Sequence, residues 1–283
     1  MVSHFLSLEW KQFFRSSYWQ KSIAINILLV FIALYFIVIF LALGIGLFPL
    51  LKKQFPDGDP LLLVNGFLFY WLLADLIMRF FFQKLPVMHV KPLLTLPIKK
   101  SKILHYILGK SVISFFNFLP LFTIVPFAGV MLFEGYSYTL VLTWVILMLI
   151  ITLSINFLNF IIESKSADTE LSFLPIILLA LGLFGLNYFN IISLNTLVGD
   201  AVNSVTANPI LLLIPGTLLS LLYFYNYSIL NKKLYIDGSL RSKARTVTTS
   251  DISWTRRFGD MAPFLQLDLK LIYRNKRPRS SLF

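Results

Sequence analysis

Apolar residues occur in long unbroken runs along this chain, separated by short, mostly basic segments. A helix that crosses a hydrocarbon layer of roughly 30 Å needs about 20 consecutive apolar residues. Six stretches reach that length: Ile23 to Leu47, whose one strongly polar side chain is Asn26, then Leu61 to Phe82, Ile107 to Phe133, Tyr138 to Ile162, Leu171 to Ile192 and Pro209 to Leu230. Unpaired peptide groups are costly in lipid, so runs of this length are expected to be α-helices, and the alternating period of a β-barrel strand is absent. The first run follows a basic segment, but at about 25 apolar residues with no small-residue cleavage pattern before Phe48 it reads as a retained span. The expected fold is therefore all-α: a polytopic membrane protein of about six transmembrane helices.

Composition supports this. The 283 residues are 57% hydrophobic and only 13% charged, with a mean hydropathy of +0.78, too apolar for one soluble core to hide. Cysteine is absent, which excludes disulfides, thiolate metal sites and cysteine nucleophiles.

The net charge of +12 could suggest nucleic acid, but its placement points to a membrane. Lys11, Arg15 and Lys21 precede the first span; Lys84, Lys91, Lys99, Lys100, Lys102 and Lys110 lie between spans two and three; Lys165 follows span four; the rest of the excess runs from Lys232 to Arg279. Of the 25 Lys and Arg residues, only Lys52, Lys53 and Arg79 fall elsewhere. Short basic loops are retained in the cytoplasm, so both termini are expected there, with anionic lipid rather than nucleic acid as the partner of the positive charge. The loop from Glu163 to Glu170, cytoplasmic in this scheme, carries more acids than lysines, but acidic residues count for little in topology.

Residues 5–15, FLSLEWKQFFR, align without a gap with residues 264–274, FLQLDLKLIYR. At 100° per residue Leu6, Trp10, Phe13 and Phe14 form one apolar stripe, and Leu265, Leu269, Ile272 and Tyr273 repeat it. Basic amphipathic helices of this kind lie in the headgroup plane. A span follows the first copy, whereas the chain stops at Phe283 shortly after the second. The expectation is a longer protein whose second half opens with the same helix, or a homodimer of equivalent halves.

In the segment between spans two and three, Pro86, Pro92 and Pro97 prevent a continuous helix up to Ile98. Ser101 is placed to cap a new helix in which Ile103, Leu104, Ile107 and Leu108 make an apolar face. A basic N-terminal interfacial helix, six spans and the segment PLLTLPIKKSKILHYILGK at this position resemble the ABC-2-type exporter permeases. The resemblance implies a coupling helix, Lys99, Lys100, Ser101, Lys102, Ile103, Leu104, His105 and Tyr106, that docks on a separate ABC ATPase subunit in the cytoplasmic (inner) membrane. No phosphate-binding glycine loop of the Walker type is present, so nucleotide chemistry must come from that partner. A helix that merely lies on lipid is the plainer alternative.

Within the spans, Asp75 and Arg79 are four residues apart on one helical face and can pair, and Arg79 is also close enough to the basic end to snorkel. A structural ion pair and a transport or proton site are both open. Asn156 and Asn159, together with Asn26, Asn65, Asn117 and Asn187, suit bonding between helices. Pro120 and Pro126 should bend span three. His4, His89 and His105 lack metal-ligand spacing, and no catalytic motif or cofactor loop is present, so no enzyme activity, metal or cofactor is expected of this chain.

The chain thus divides into an interfacial helix (1–21), a six-helix transmembrane domain (22–230) with a coupling segment (83–106), a linker (231–263) holding Trp254 and Phe258, and a second interfacial helix (264–283). The expected function is the permease component of an ATP-driven exporter. The rivals are a gradient-driven transporter in which Asp75 titrates, and a membrane assembly protein without transport.

Overall fold

A computed structural model of the chain describes residues 11, 23–83, 98–166, 173–233, 257 and 259–274. Every regular element among them is helical. The first, α1 (Ile23–Gln54), has 32 residues and at 1.5 Å per residue is about 48 Å long, more than the hydrocarbon layer requires. Helix α2 (Pro60–Phe82) starts where its sequence dictates: the Asp59 carboxylate accepts the Leu61 N–H at 2.9 Å, and Pro60 occupies a first-turn position that needs no N–H donor.

After the undescribed residues 84–97 come α3 (Lys100–Val112), a four-residue α4 (Phe115–Phe118), α5 (Leu121–Phe133), α6 (Tyr138–Ser166), α7 (Leu174–Tyr188) and α8 (Leu194–Ala207). A 3₁₀ turn at Pro209–Leu212 leads into α9 (Leu213–Lys233).

Five helical stretches among the described residues are long and apolar enough to cross a membrane: Val30–Gln54, Pro60–Phe82, Phe115–Phe133, Tyr138–Ser164 and Pro209–Lys232. Their outward faces carry bare apolar side chains such as Phe31, 67% exposed, and Leu221, also 67%. A surface this apolar is suited to hydrocarbon and not to water.

Two of the expected spans take a different form. The third does not begin at Ile107, because that residue belongs to α3, which stops at Val112; the chain turns at Ile113 and Ser114 before the spanning stretch starts. The fifth is 15 residues, about 22 Å at the helical rise, and falls short of a crossing by itself. It breaks after Tyr188, with Asn190 at φ 53°, and the chain resumes as α8. Asparagine enters this left-handed region more readily than other side-chain-bearing residues.

The largest core joins α1, α2, α5, α6 and α8 through Phe48, Leu61, Phe127, Met131, Trp144 and Val202. Close backbone approach fixes two crossings. A Cβ on Gly44 of α1 would lie 2.6 Å from the Thr123 carbonyl of α5, and one on Gly199 of α8 would lie 3.2 Å from Gly66 Cα of α2. Small residues at such points let spanning helices meet closely.

The described residues 257 and 259–274 belong to a separate compact unit. Its helix α10 (Ala262–Arg274) covers the expected second interfacial stretch up to Arg274. Leu265 is half-buried. Leu269, Ile272 and Tyr273 belong to the helix, but their side chains lie outside the description, as does the first interfacial stripe of Leu6, Trp10, Phe13 and Phe14.

Candidate functional site

The most polar part of the interior is built around Arg79, which is fully buried near the C-terminal end of α2. Three residues four apart, Asp75, Arg79 and Gln83, share one side of this helix end. Arg79 Nε donates to Asp75 Oδ2 at 2.8 Å, and Nη1 donates to Gln83 Oε1 at 3.0 Å. The same Nη1 reaches Asn117 Oδ1 at 2.6 Å, and Nη2 donates to the Phe116 carbonyl at 2.7 Å.

The last of these acceptors is open because the neighbouring helix is interrupted. The Phe116 carbonyl is the one that residue 120 would satisfy in a continuous helix, and residue 120 is proline, which has no N–H. Arg79 supplies the missing donor. Asn117 also serves the end of α3: its Nδ2 lies 2.9 Å from the Val112 carbonyl and 3.2 Å from that of Ser111, two of the acceptors a helix leaves open at its C-terminus. The guanidinium thus holds α2 against the junction of α3 and α4.

The network extends into α6. Gln83 Nε2 donates to Asn156 Oδ1, Asn156 Nδ2 lies 3.3 Å from Ser111 Oγ, and Asn159 Nδ2 lies 3.5 Å from the Gln83 carbonyl. Asn159 Oδ1 is buried with no partner among the described residues. One charge pair in an apolar setting is thereby surrounded by side-chain amides and a hydroxyl, the condition under which a buried ion pair is tolerable.

Helix α3 sits at the same end of the molecule. Ile103, Leu104, Ile107 and Leu108 form the expected apolar face, and it packs inward against Phe157 and Phe160 of α6 and Tyr223 and Leu230 of α9. Lys99, Ser101, Lys102 and His105 are exposed, whereas Lys100 and Tyr106 are half-buried. Lys100 donates to the Asn231 carbonyl near the end of α9, the Tyr227 hydroxyl donates to Ser101 Oγ at 3.1 Å, and His105 stacks on Tyr227 with ring centroids 5.0 Å apart. The helix begins at Lys100 with no side-chain cap, so Ser101 is its second residue and bonds α9 instead of capping. Of the expected coupling segment, residues 84–97 lie outside the description.

Two further polar clusters fasten α8. Asn65 Nδ2 donates to Asn203 Oδ1 at 2.7 Å while Asn65 Oδ1 accepts from Trp144 Nε1 at 3.0 Å. At the α7 break, Asn187 Nδ2 donates to the Tyr70 hydroxyl at 2.7 Å, and Asn187 Oδ1 accepts the Asn195 N–H at 3.1 Å.

At the end away from α3, the turns α1–α2 and α5–α6 are clamped together. The Tyr136 hydroxyl donates to Asp59, and Lys52 pairs with Glu134. Burial, then the bond to Asp59 and the charges of Asp59 and Glu134, push the Tyr136 hydroxyl above the usual tyrosine range.

The structure therefore brings Asp75 and Arg79 together with Asn117, Asn156 and Asn159, while Lys99, Lys102 and His105 are exposed. Gln83 and Ser111 were not singled out by sequence reasoning. The four-residue spacing from Arg79 was a usable signal for Gln83; for Ser111, which meets its partners only through folding, there was none. Among the described residues no cluster of His, Asp or Glu could hold a metal ion. No curated protein and no solved structure matches the chain. A model described as "Family of unknown function (DUF5687)" matches residues 9–283, and the chain belongs to that family.

Proposed function

We propose that the chain is the membrane-spanning permease component of an ATP-driven exporter of ABC-2 type, lying in the cell (inner) membrane with its lysine-rich end in the cytoplasm and served by a separate ATPase subunit. The observation that carries this reading is the position of α3. Its exposed side carries Lys99, Lys102 and His105, its apolar side is wedged between α6 and α9, and its far end meets Arg79 of α2 through Asn117. A force applied to α3 from outside the bilayer would reach three spanning helices through packed side chains and charged hydrogen bonds.

The test uses Lys99 and Lys102, leaving Lys100 to its bond with α9. The expected result is that the protein co-purifies with an ATP-binding protein from native membranes, and that a K99E/K102E variant folds but loses that partner and its transport. Native pull-downs without any ATPase, together with full activity of the double variant, would remove the proposal. In a gradient-driven transporter, Asp75→Asn would instead abolish pH-coupled uptake with no ATPase required.

A further inference from the structure

An apolar cleft of about 420 Å³ runs between α1 and α2. It exists because α1 leans on α5 at Gly44, where the backbones nearly touch, and so stands off from α2. Phe40 and Leu51 mark its two ends on α1, Phe67 and Trp71 line it from α2, and Trp144 of α6 lies at its back. Thr123 is the one residue with a polar side chain, apart from the two indoles, among those around it; its hydroxyl is committed to the Phe40 carbonyl at 3.0 Å, and the Trp144 N–H is committed to Asn65. Phe67, 61% exposed, stands at the rim, so the cleft reaches the lipid-facing surface.

We infer that this cleft binds one hydrocarbon chain of a bilayer phospholipid. The volume falls in the range of small-ligand pockets, roughly 300–1,000 Å³. With the Thr123 hydroxyl and the Trp144 N–H already bonded, the Trp71 N–H is the one side-chain donor left in a wall that is otherwise apolar, too little to hold a polar occupant, and an apolar one recovers the lost packing. From Phe40 to Leu51 the helical rise is about 16 Å, half of the ~30 Å hydrocarbon layer. The cleft thus has the length of a single leaflet. It lies on the side of Lys52 and Asp59, away from α3, and that leaflet supplies the chain. The inference does not depend on the exporter reading.

Tryptophan quenching tests it, because Trp144 is only 3% exposed and lines the cleft, where a bromine on a bound lipid chain would lie against it. In full-length protein reconstituted into phosphatidylcholine, Trp10, Trp19, Trp71 and Trp254 are replaced by Phe so that Trp144 alone reports. Chain-brominated phosphatidylcholine should quench Trp144, and the added Val64→Phe substitution, which fills the cleft, should cut that quenching by at least half. A tryptophan placed on the outer face by Leu34→Trp, in a protein without Trp144, should be quenched equally with and without Val64→Phe. Trp144 that is not quenched, or is quenched equally in the filled variant, overturns the inference. Should Val64→Phe not fold, a phospholipid with a photoactivatable chain decides: cross-links on the segment bearing Trp144 support the site, and their absence overturns it.

Discussion

Arg79 shows how one side chain sets the terms for its surroundings. Four acceptors from two segments, the end of α2 and the short α4, converge on its guanidinium. Removing one member of a buried pair typically costs about 3–5 kcal/mol, because the partners stay desolvated and unpaired. Arg79→Ala should lose stability in that range, read as a lowered midpoint of thermal unfolding in detergent. Arg79→Lys should not restore it, since a compact ammonium with three donors lacks the planar fork that serves acceptors lying in different directions. Tyr136 makes a pH-dependent counterpart at the opposite end. Its neutral hydroxyl is favoured in the folded state, so its contribution is complete below the ordinary tyrosine value of about 10 and is lost as pH rises beyond it. Wild type should be more stable than Tyr136→Phe at neutral pH, and the gap should narrow above about pH 10 in alkaline melts.

Between helices, the decisive quantity is how closely two backbones approach. A methyl group on Gly44 would meet the Thr123 backbone, which cannot swing aside, whereas one on Gly129 meets nothing within 4 Å. Gly44→Ala should therefore destabilise by about 1–3 kcal/mol as an overpacked contact, and Gly129→Ala should stabilise by up to about 1 kcal/mol through helix propensity alone. Opposite signs in denaturant midpoints are the outcome to look for. The elements were legible in the sequence where a local rule decides them. Ile103, Leu104, Ile107 and Leu108 declare one face by period, and Asp75 with Arg79 declares a pair by spacing. What packs on that face was not legible, because Tyr223 and Leu230 are distant in sequence. The turn at Ile113 and Ser114 carries no proline or glycine, and Asn117, whose amide fastens it, looks in the sequence like any other intramembrane asparagine. The break after Tyr188 escaped for another reason: Phe189, Ile191 and Ile192 keep the hydropathy high across it, so an average over a window cannot register a change of backbone direction.

For the molecule as a whole, the two ends differ in chemistry. One carries α3 and the lysines around it; the other carries Asp57, Asp59 and Glu134 with Lys52 and Lys53. With no native cysteine to remove, single substitutions at Asp57 and at Lys232 allow direct mapping with an impermeant thiol reagent on intact cells. Asp57→Cys should react from outside, and Lys232→Cys only after permeabilisation. Equal labelling of both would contradict the orientation proposed above. The bond between Arg79 and the Phe116 carbonyl also bears on biogenesis. A ribosome delivers α2, with Asp75 and Gln83, before it has translated residues 116 and 117, so Arg79 arrives with its charge paired but with the acceptors on Phe116 and Asn117 still missing. Its place near the helix end makes that cost smaller than the roughly 2.5–3.5 kcal/mol of an arginine at a helix centre. The second span is therefore expected to wait beside the insertion machinery and to enter the bilayer together with the third, as one hairpin that completes the bonding of the guanidinium on entry.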